Sequence, residues 1–257
     1  MKFVLLSVVC VLLFSYNVCF AQSDSAVTLG KYKFSTTYTD TNYSTVLKIT
    51  DGKKVIFTGE FEESVESIKE VDFNDDGNKT ILLSVYTGGA HCCYIVYACR
   101  IKNNKFLISD TLYLADSYFN IEDLDNNGEQ KLTAYNMMFA YAFTNYAESR
   151  APEIFYTVEN GLFKEVTKDY PKRIEAQIEE FKGDLKTFLD SKYKCEAEGE
   201  ETFNTDAGSV KTLLAAITAD YYTLGEVEKG YELINKTYPC TDRDKFIKIL
   251  KEDYKLK

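Results

Sequence analysis

Asp72-Phe73-Asn74-Asp75-Asp76-Gly77 returns 51 residues later as Asp123-Leu124-Asp125-Asn126-Asn127-Gly128. Both copies carry oxygen-bearing side chains at the first, third and fifth positions, and the glycine at the sixth lets the backbone turn sharply. Hard oxygen donors at this spacing suit calcium better than zinc. The stretch therefore predicts a calcium loop in each copy and a repeated unit around it.

The donors of the first loop come from short polar residues: the side chains of Asp72, Asn74 and Asp76 and the backbone carbonyl of Asn78. An EF-hand would need a Glu at the twelfth position and a helix after it. That position holds Leu83 in one copy and Ala134 in the other, and a strand pattern follows both. The alternative without metal is a pair of Asx-turns whose carboxylates cap backbone amides.

The surroundings of the two loops also align, with one short apolar strand before each loop and several strands after it. Asp51-Gly52 and Asn160-Gly161 add two hairpin turns, since a tight two-residue turn requires positive φ. Such a repeat of about 50 residues is typical of propeller-like blades or stacked β-meanders. The hairpin at residues 44–61 matches the last two strands of a further, truncated unit. We therefore predict an antiparallel β-repeat domain, either a partial propeller or a curled β-meander.

Roughly residues 68–166 resemble the FG-GAP or VCBS repeats of integrin-like propellers and many bacterial secreted proteins, whose loop reads Asp-x-Asp-x-Asp-Gly-x-x-Asp or Glu. The ninth position departs from this pattern, because Thr80 and Lys131 replace the acid. An ammonium group at Lys131 would repel a cation unless it pointed outwards on the strand. The resemblance implies a calcium-stabilised domain with two ligand sets: Asp72, Asn74 and Asp76 in the first loop, and Asp123, Asp125 and Asn127 in the second.

Helical periodicity replaces the strand pattern after Pro171. Apolar side chains recur at intervals of three and four residues, which predicts four amphipathic helices in a small bundle. Thr241-Asp242-Arg243-Asp244 predicts a capping box that opens the fourth helix. The fold class is therefore α+β, with a β-repeat domain at residues 22–168 and a helical domain at residues 169–257.

The N-terminus has the pattern of a secretory signal peptide. Lys2 precedes an apolar run, and small residues at Cys19 and Ala21 place the cleavage site after residue 21. The run is about a dozen residues, shorter than the roughly 20 that a membrane-spanning helix needs. We expect a secreted or periplasmic protein with no membrane insertion once residues 1–21 are removed.

Composition excludes some partners. The formal net charge is −10, whereas nucleic acid and anionic membranes attract clustered Lys and Arg. We expect no nucleic-acid partner, and instead a protein or glycan ligand. Tyr135, Tyr141, Tyr146 and Tyr156 could stack on a glycan, although cross-strand aromatic pairing is the usual role of tyrosines in a sheet.

The cysteines remaining after signal cleavage are odd in number. Cys195 and Cys240 close a loop of moderate length and are expected to pair in an oxidising compartment. Cys93 and Cys99 would be about 20 Å apart in an extended strand, too far for a disulfide. A vicinal disulfide between Cys92 and Cys93, or a bond from either to a neighbouring strand, stays open.

The segment Gly88-Gly89-Ala90-His91-Cys92-Cys93 is the second unusual motif, and it resembles a signature of uncharacterised secreted bacterial proteins that also bear these Asp loops. His91 is the single histidine, so enzymes that need two are excluded. It shares strand parity with Cys93, and a soft metal held by His91 and thiolates lacks a recognisable fourth donor. The alternative is a Gly-Gly bend with a hydrogen-bonded histidine and oxidised cysteines.

These patterns predict a secreted or periplasmic, non-enzymatic binding or interaction module whose inter-strand loops are ordered by calcium. One rival is an extracellular hydrolase with an unidentified carboxylate pair. The other is a redox or soft-metal protein centred on His91, Cys92 and Cys93. The hydrolase requires a deep pocket with two facing carboxylates, and the redox protein requires an exposed, titratable thiol.

Overall fold

The computed structural model describes residues 25–39, 44–89 and 91–257. The predicted signal peptide, residues 1–21, lies outside them. The described chain forms three antiparallel sheets of four strands each, followed by four α-helices. The predicted α+β class and the order of its two parts are confirmed.

Each sheet is a meander in which consecutive strands are neighbours. The first sheet contains β1 (Ser25–Leu29), β2 (Tyr32–Thr39), β3 (Ser44–Asp51) and β4 (Lys54–Phe61). The second contains β5 (Ser64–Val71), β6 (Thr80–Tyr86), β7 (Tyr94–Lys102) and β8 (Lys105–Tyr113). The third contains β9 (Asn120–Glu122), β10 (Lys131–Tyr135), β11 (Glu153–Glu159) and β12 (Leu162–Glu165).

The first unit is not truncated, so that part of the sequence prediction was wrong. Two further strands, β1 and β2, precede the predicted hairpin and complete a four-stranded sheet. They are joined through Gly30, whose φ of +56° suits a tight turn, at the point where the other two sheets carry an Asp loop. Without an acidic loop to mark it, this first hairpin could not be aligned with the other units.

The second sheet is packed between the other two. On β6, Ile81, Leu83 and Val85 face a cluster that contains residues of the first sheet. The residue between two of them, Leu82, belongs to a cluster that contains Leu132 of the third sheet. Because successive side chains of a strand point to opposite faces, β6 presents apolar side chains to both neighbouring sheets. The three sheets therefore form a propeller-like stack.

The helices are α1 (Pro171–Ser191), α2 (Asp206–Thr223), α3 (Val227–Thr237) and α4 (Arg243–Glu252). Although the sequence predicts an amphipathic α2, this helix is buried on nearly all sides, and its Lys211 and Asp220 are 7% and 2% exposed. The predicted capping box is also wrong, because α4 has no side-chain cap hydrogen bond. Asp242 instead accepts hydrogen bonds from Lys211 and Tyr238.

The segment at residues 136–152, between β10 and β11, joins the β-repeat to the helices. Its Phe139 and Phe143 are buried in the helical core. The backbone amide of Glu153, the first residue of β11, donates to Gln177 Oε1 of α1 at 2.8 Å. Residues 136–152 thus lie between two strands of the β-repeat in sequence, but their buried side chains pack in the helical core.

Two helical glycines give opposite expectations for substitution by alanine. At Gly230 on α3 a Cβ atom would lie 2.7–2.8 Å from Thr218, including its backbone Cα, whereas at Gly183 on α1 it would meet nothing within 4 Å. We expect Gly230→Ala to lower the free energy of unfolding by about 1–3 kcal/mol. Gly183→Ala should raise it by up to about 1 kcal/mol, through helix propensity alone. Urea unfolding of both variants checks this, and equal effects would contradict the close α2–α3 packing.

Candidate functional site

The two Asp loops have the same internal hydrogen bonds. In the first loop the Asp72 carboxylate accepts from the amides of Asp76 at 3.2 Å and Gly77 at 2.8 Å. In the second, Asp123 accepts from the amides of Asn127 at 3.1 Å and Gly128 at 2.9 Å. The carboxylates therefore cap their own turns, as the Asx-turn alternative requires.

The fifth-position side chains complete the pattern. Asp76 Oδ1 accepts from the amide of Asn78 at 2.8 Å, and Asn127 Oδ1 accepts from the amide of Glu129 at 2.9 Å. Hydrogen bonds from Asn78 lower the pKa of Asp76, and one from the Gly128 amide lowers the pKa of Asp123. These carboxylates thus stay ionised, which is the form that binds a cation.

The predicted calcium ligands lie in these loops, but their acidic side chains do not converge on one point. Across the part of the chain that the structure describes, no group of three or more His, Cys, Asp or Glu side chains could hold a metal ion. Each loop has two aspartates among its predicted ligands, and its other predicted donors are Asn side chains or a backbone carbonyl: Asn74 and Asn78 in the first, and Asn127 in the second. Calcium would therefore depend on amide and carbonyl oxygens.

Lys131, the ninth residue of the second loop, does not point outwards as the sequence allowed. It is 5% exposed, and its Nζ atom donates to the Phe73 carbonyl at 3.3 Å and to Glu129 Oε2 at 2.8 Å. Phe73 belongs to the first loop and is itself buried. The ammonium group therefore joins the two loops, 58 residues apart in sequence.

The loops also touch directly. A Cβ atom on Gly128 would lie 2.7 Å from Asp75 Oδ2, so the Asp75 side chain rests against the backbone of the second loop. Gly128 has a φ of +94°, a conformation that favours glycine. The loops of the second and third sheets thus form one continuous feature.

The segment from Thr87 to Cys93 closes into a loop between β6 and β7. The Thr87 amide donates to the Cys93 carbonyl at 3.1 Å, and the Cys93 amide donates to Thr87 Oγ1 at 2.8 Å. Cys92 and Cys93 are paired as a vicinal disulfide. Cys99 is buried, and burial raises the pKa of its thiol to about 12.

Cys195 and Cys240 form a disulfide with a Cα–Cα distance of 5.3 Å. The bond links the segment between α1 and α2 to the turn before α4. It lies in the helical domain, whereas the Cys92–Cys93 pair lies between strands of the second sheet. The two disulfides therefore constrain separate parts of the structure.

His91 lies at the centre of a polar and aromatic cluster. Its Nδ1 atom is 3.2 Å from Asp116 Oδ2, and its ring centroid is 4.3 Å from that of Tyr146 and 5.8 Å from that of Tyr141. Burial, followed by a hydrogen bond with Asp116, raises the pKa of Tyr146 to about 12. Asp116 thus contacts both His91 and Tyr146, and it holds the Thr87–Cys93 loop against residues 136–152.

Tyr146 also lines a cleft of about 590 Å³ between residues 136–152 and α1. Tyr135, which is half exposed, lines the same cleft. Its cross-strand partner is Glu153, so aromatic pairing does not explain this tyrosine. The other cleft side chains used below are Arg150, Glu153, Arg173, Gln177 and Glu180.

The charged groups of the cleft are largely paired. Arg173 donates to both carboxylate oxygens of Glu153, at 2.7 Å each. Arg150 donates to the carbonyls of Glu148 and Ser149, and its Nε atom is 3.5 Å from Asp184. Glu180 is exposed. The cleft therefore combines aromatic faces with balanced charge.

Sequence reasoning found His91, the cysteines and the tyrosines, but it missed Asp116, Arg150, Glu153 and Arg173. Asp116 lies 25 residues from His91. Glu153 and Arg173 lie on different elements, 20 residues apart. Forty acidic residues offered no local signal by which to choose among them.

Comparisons with known proteins place few limits on function. No family model matches the chain, and no solved structure matches it. The chain is 26% identical over 196 residues to a Synechocystis sp. protein named "Probable thylakoid lumen protein sll0997". The match covers 72% of this chain and 52% of the relative, so it spans about half the relative's length. In the described ranges, every helix is too short or too polar to span a bilayer.

The buried carboxyl group of Asp220 should make the stability of the folded protein depend on pH. Its Oδ2 atom has no hydrogen-bond partner within the described chain, and burial, with added repulsion from Glu153, raises its pKa to about 8 from 3.8. Between those pH values the unfolded state binds fewer protons than the folded state, so stability falls as pH rises. Asp220→Asn cannot ionise at this position. We therefore expect its free energy of unfolding to rise relative to that of the wild type by roughly a few kcal/mol between pH 4 and pH 8.

Urea unfolding at pH 5 and pH 8 measures this difference. The exposed Asp253→Asn variant is the control and should give the same small offset at both pH values. If Asp220→Asn also gave a constant offset, the buried carboxyl would not be the cause.

Proposed function

We propose that this protein is an exported, non-enzymatic binding module. The predicted signal peptide supports export, and the related protein is named for the thylakoid lumen, a compartment outside the cytoplasm. A secreted or periplasmic location follows from this proposal. The single observation that carries the binding function is the aromatic cleft beside the His91 cluster.

The geometry of the cleft favours binding over hydrolysis. General acid–base chemistry needs a carboxyl group that is free to exchange a proton with substrate. Glu153 is held by two hydrogen bonds from Arg173, and Asp220 is 2% exposed. This leaves Glu180 as the exposed carboxylate of the cleft, whereas the hydrolase rival needs two.

The cysteines give little support to the redox rival. Among residues 25–39, 44–89 and 91–257, the cysteine outside disulfides is Cys99, which is 1% exposed and has a raised pKa. A reactive cysteine instead requires an accessible thiolate. The Cys92–Cys93 pair serves, in this proposal, to shape the loop that presents His91.

A glycan is the ligand that best fits the cleft. Sugar rings present flat C–H faces that stack on aromatic side chains, and their hydroxyls pair with planar polar groups. Tyr135 supplies a half-exposed ring, and Glu180 supplies an exposed carboxylate. With Arg173 and Arg150 both engaged, the described lining of the cleft offers no free cationic group that would select an anion.

Calcium has a structural role in this proposal. The first loop would bind it through Asp72, Asn74, Asp76 and the Asn78 carbonyl. Each carboxylate oxygen that accepts one amide keeps a second lone pair for a cation. A bound ion would fix the inter-strand loop and would take no part in contacts with the ligand.

Removal of the Tyr135 ring should weaken glycan binding. We expect Tyr135→Ala to bind a selected neutral oligosaccharide about tenfold more weakly, a loss of about 1.4 kcal/mol. The ligand is first selected on a glycan array, and its affinity is then measured by titration calorimetry. Tyr222→Ala, which removes an exposed tyrosine of α2, is the matched control. Absence of binding to any array glycan, or equal affinities of the two variants, would contradict the proposal.

Calcium should raise the melting temperature of residues 22–257. A ligand that binds the folded state at 100 times its Kd adds about 2.7 kcal/mol, which corresponds to about 5–10 °C for a chain of this size. We expect Asp72→Ala to abolish the difference between excess calcium and excess chelator in a thermal scan. Asp253→Ala should retain it. A wild-type protein with the same melting temperature in both buffers would exclude a structural calcium ion.

A further inference from the structure

The second Asp loop differs from the first at the residue that decides whether a cation can be held. Both loops make the same amide-to-carboxylate hydrogen bonds, so their backbones are matched. At the ninth position the first loop has Thr80, which is neutral, and the second has Lys131. The two loops therefore share the same hydrogen-bonded backbone and differ in charge at the ninth position.

The Lys131 side chain cannot replace the missing acid. An ammonium group has three donors and no acceptor, so it offers a cation no electron pair. Its Nζ atom turns to the Phe73 carbonyl of the first loop and to Glu129, while the side chain is 6% exposed. The residues of the second loop therefore do not fit calcium.

The same ammonium group satisfies two needs of the seam between the loops. Phe73 is 1% exposed, and Lys131 gives its carbonyl group a hydrogen bond. The adjoining loops also concentrate negative charge, since Asp72, Asp75, Asp76, Asp123 and Asp125 are all acidic. The Lys131 ammonium pairs with the carboxylate of Glu129 beside these acids, and a buried ion is screened little by salt.

We infer that Lys131 makes the second loop independent of a metal ion, because it supplies no ligand at the ninth position and clamps this loop to the first through the Phe73 carbonyl. The inference refines the proposed calcium function by restricting calcium to the first loop. The second loop is metal-independent, and the seam between the second and third sheets keeps its cation in calcium-free surroundings.

Calcium stoichiometry tests the first half of the inference. Titration calorimetry of residues 22–257 with calcium chloride should give one equivalent for the wild type, and the same for Asp123→Ala. Lys131→Asp, which restores the acid of the resembled pattern, should add a second equivalent. Thr80→Asp, the matched change in the first loop, should tighten the existing site and leave the stoichiometry at one. Loss of one equivalent in Asp123→Ala would overturn the inference.

Thermal unfolding tests the clamp without relying on calcium. We expect Lys131→Met, which keeps the length and loses the charge, to lower the melting temperature by about 5 °C in chelator and in calcium alike. Lys131→Arg should recover most of that loss because it keeps the charge and the donors. An unchanged melting temperature in Lys131→Met, or a loss that calcium restores, would overturn the clamp. A wild type that binds no calcium, together with these losses, would contradict the calcium proposal and support the clamp.

Discussion

Burial of the second sheet on both faces is the constraint on which the remaining structure depends. β6 carries apolar side chains at successive positions, so a sheet with one solvated face would expose half of them. The first sheet covers one set and the third sheet covers the other. The buried hydroxyl of Ser84 pairs with that of Ser67 at 2.7 Å, so this buried polar side chain of β6 also has a partner.

Stacking the sheets fixes where the Asp loops lie. They connect the first two strands of the second and third sheets, so adjacent sheets bring them together. A turn at the edge of such a seam must satisfy buried backbone groups while keeping its carboxylates in water. Phe73 shows the first requirement, since its side chain joins the core between the sheets and its carbonyl meets Lys131. The Asp carboxylates that cap the turns meet the second requirement, because they stay in water with or without a metal ion.

Short sequence motifs predicted the features that depend on neighbouring residues, namely the hairpin turns and the position of the Asp loops between strands. The turns at Gly52 and Gly161 have positive φ, as the hairpin pattern requires, and both Asp loops join strands. Long-range pairing was not predictable, since neither Asp116 beside His91 nor Lys131 beside Phe73 is marked by sequence spacing. At Asp242 a tertiary contact replaces the predicted local one. Its carboxylate accepts a hydrogen bond from the buried Lys211 and does not cap α4. The sequence therefore singled out His91 and the tyrosines as candidates, and it did not indicate the charged residues that surround them.

The position of the cleft follows from the shared segment at residues 136–152. One end of this segment continues β10, its middle buries Phe139 and Phe143 among the helices, and Tyr146 contacts the His91 loop. Arg173 on α1 and Glu153 on β11 then tie the opposite wall to the third sheet. Both walls are thus held in place by contacts within the chain, which would reduce the entropy lost in the proposed ligand binding. In the proposed binding function, such a cleft would select a ligand by shape and ring stacking, because Arg173 and Glu153 already hold its walls together.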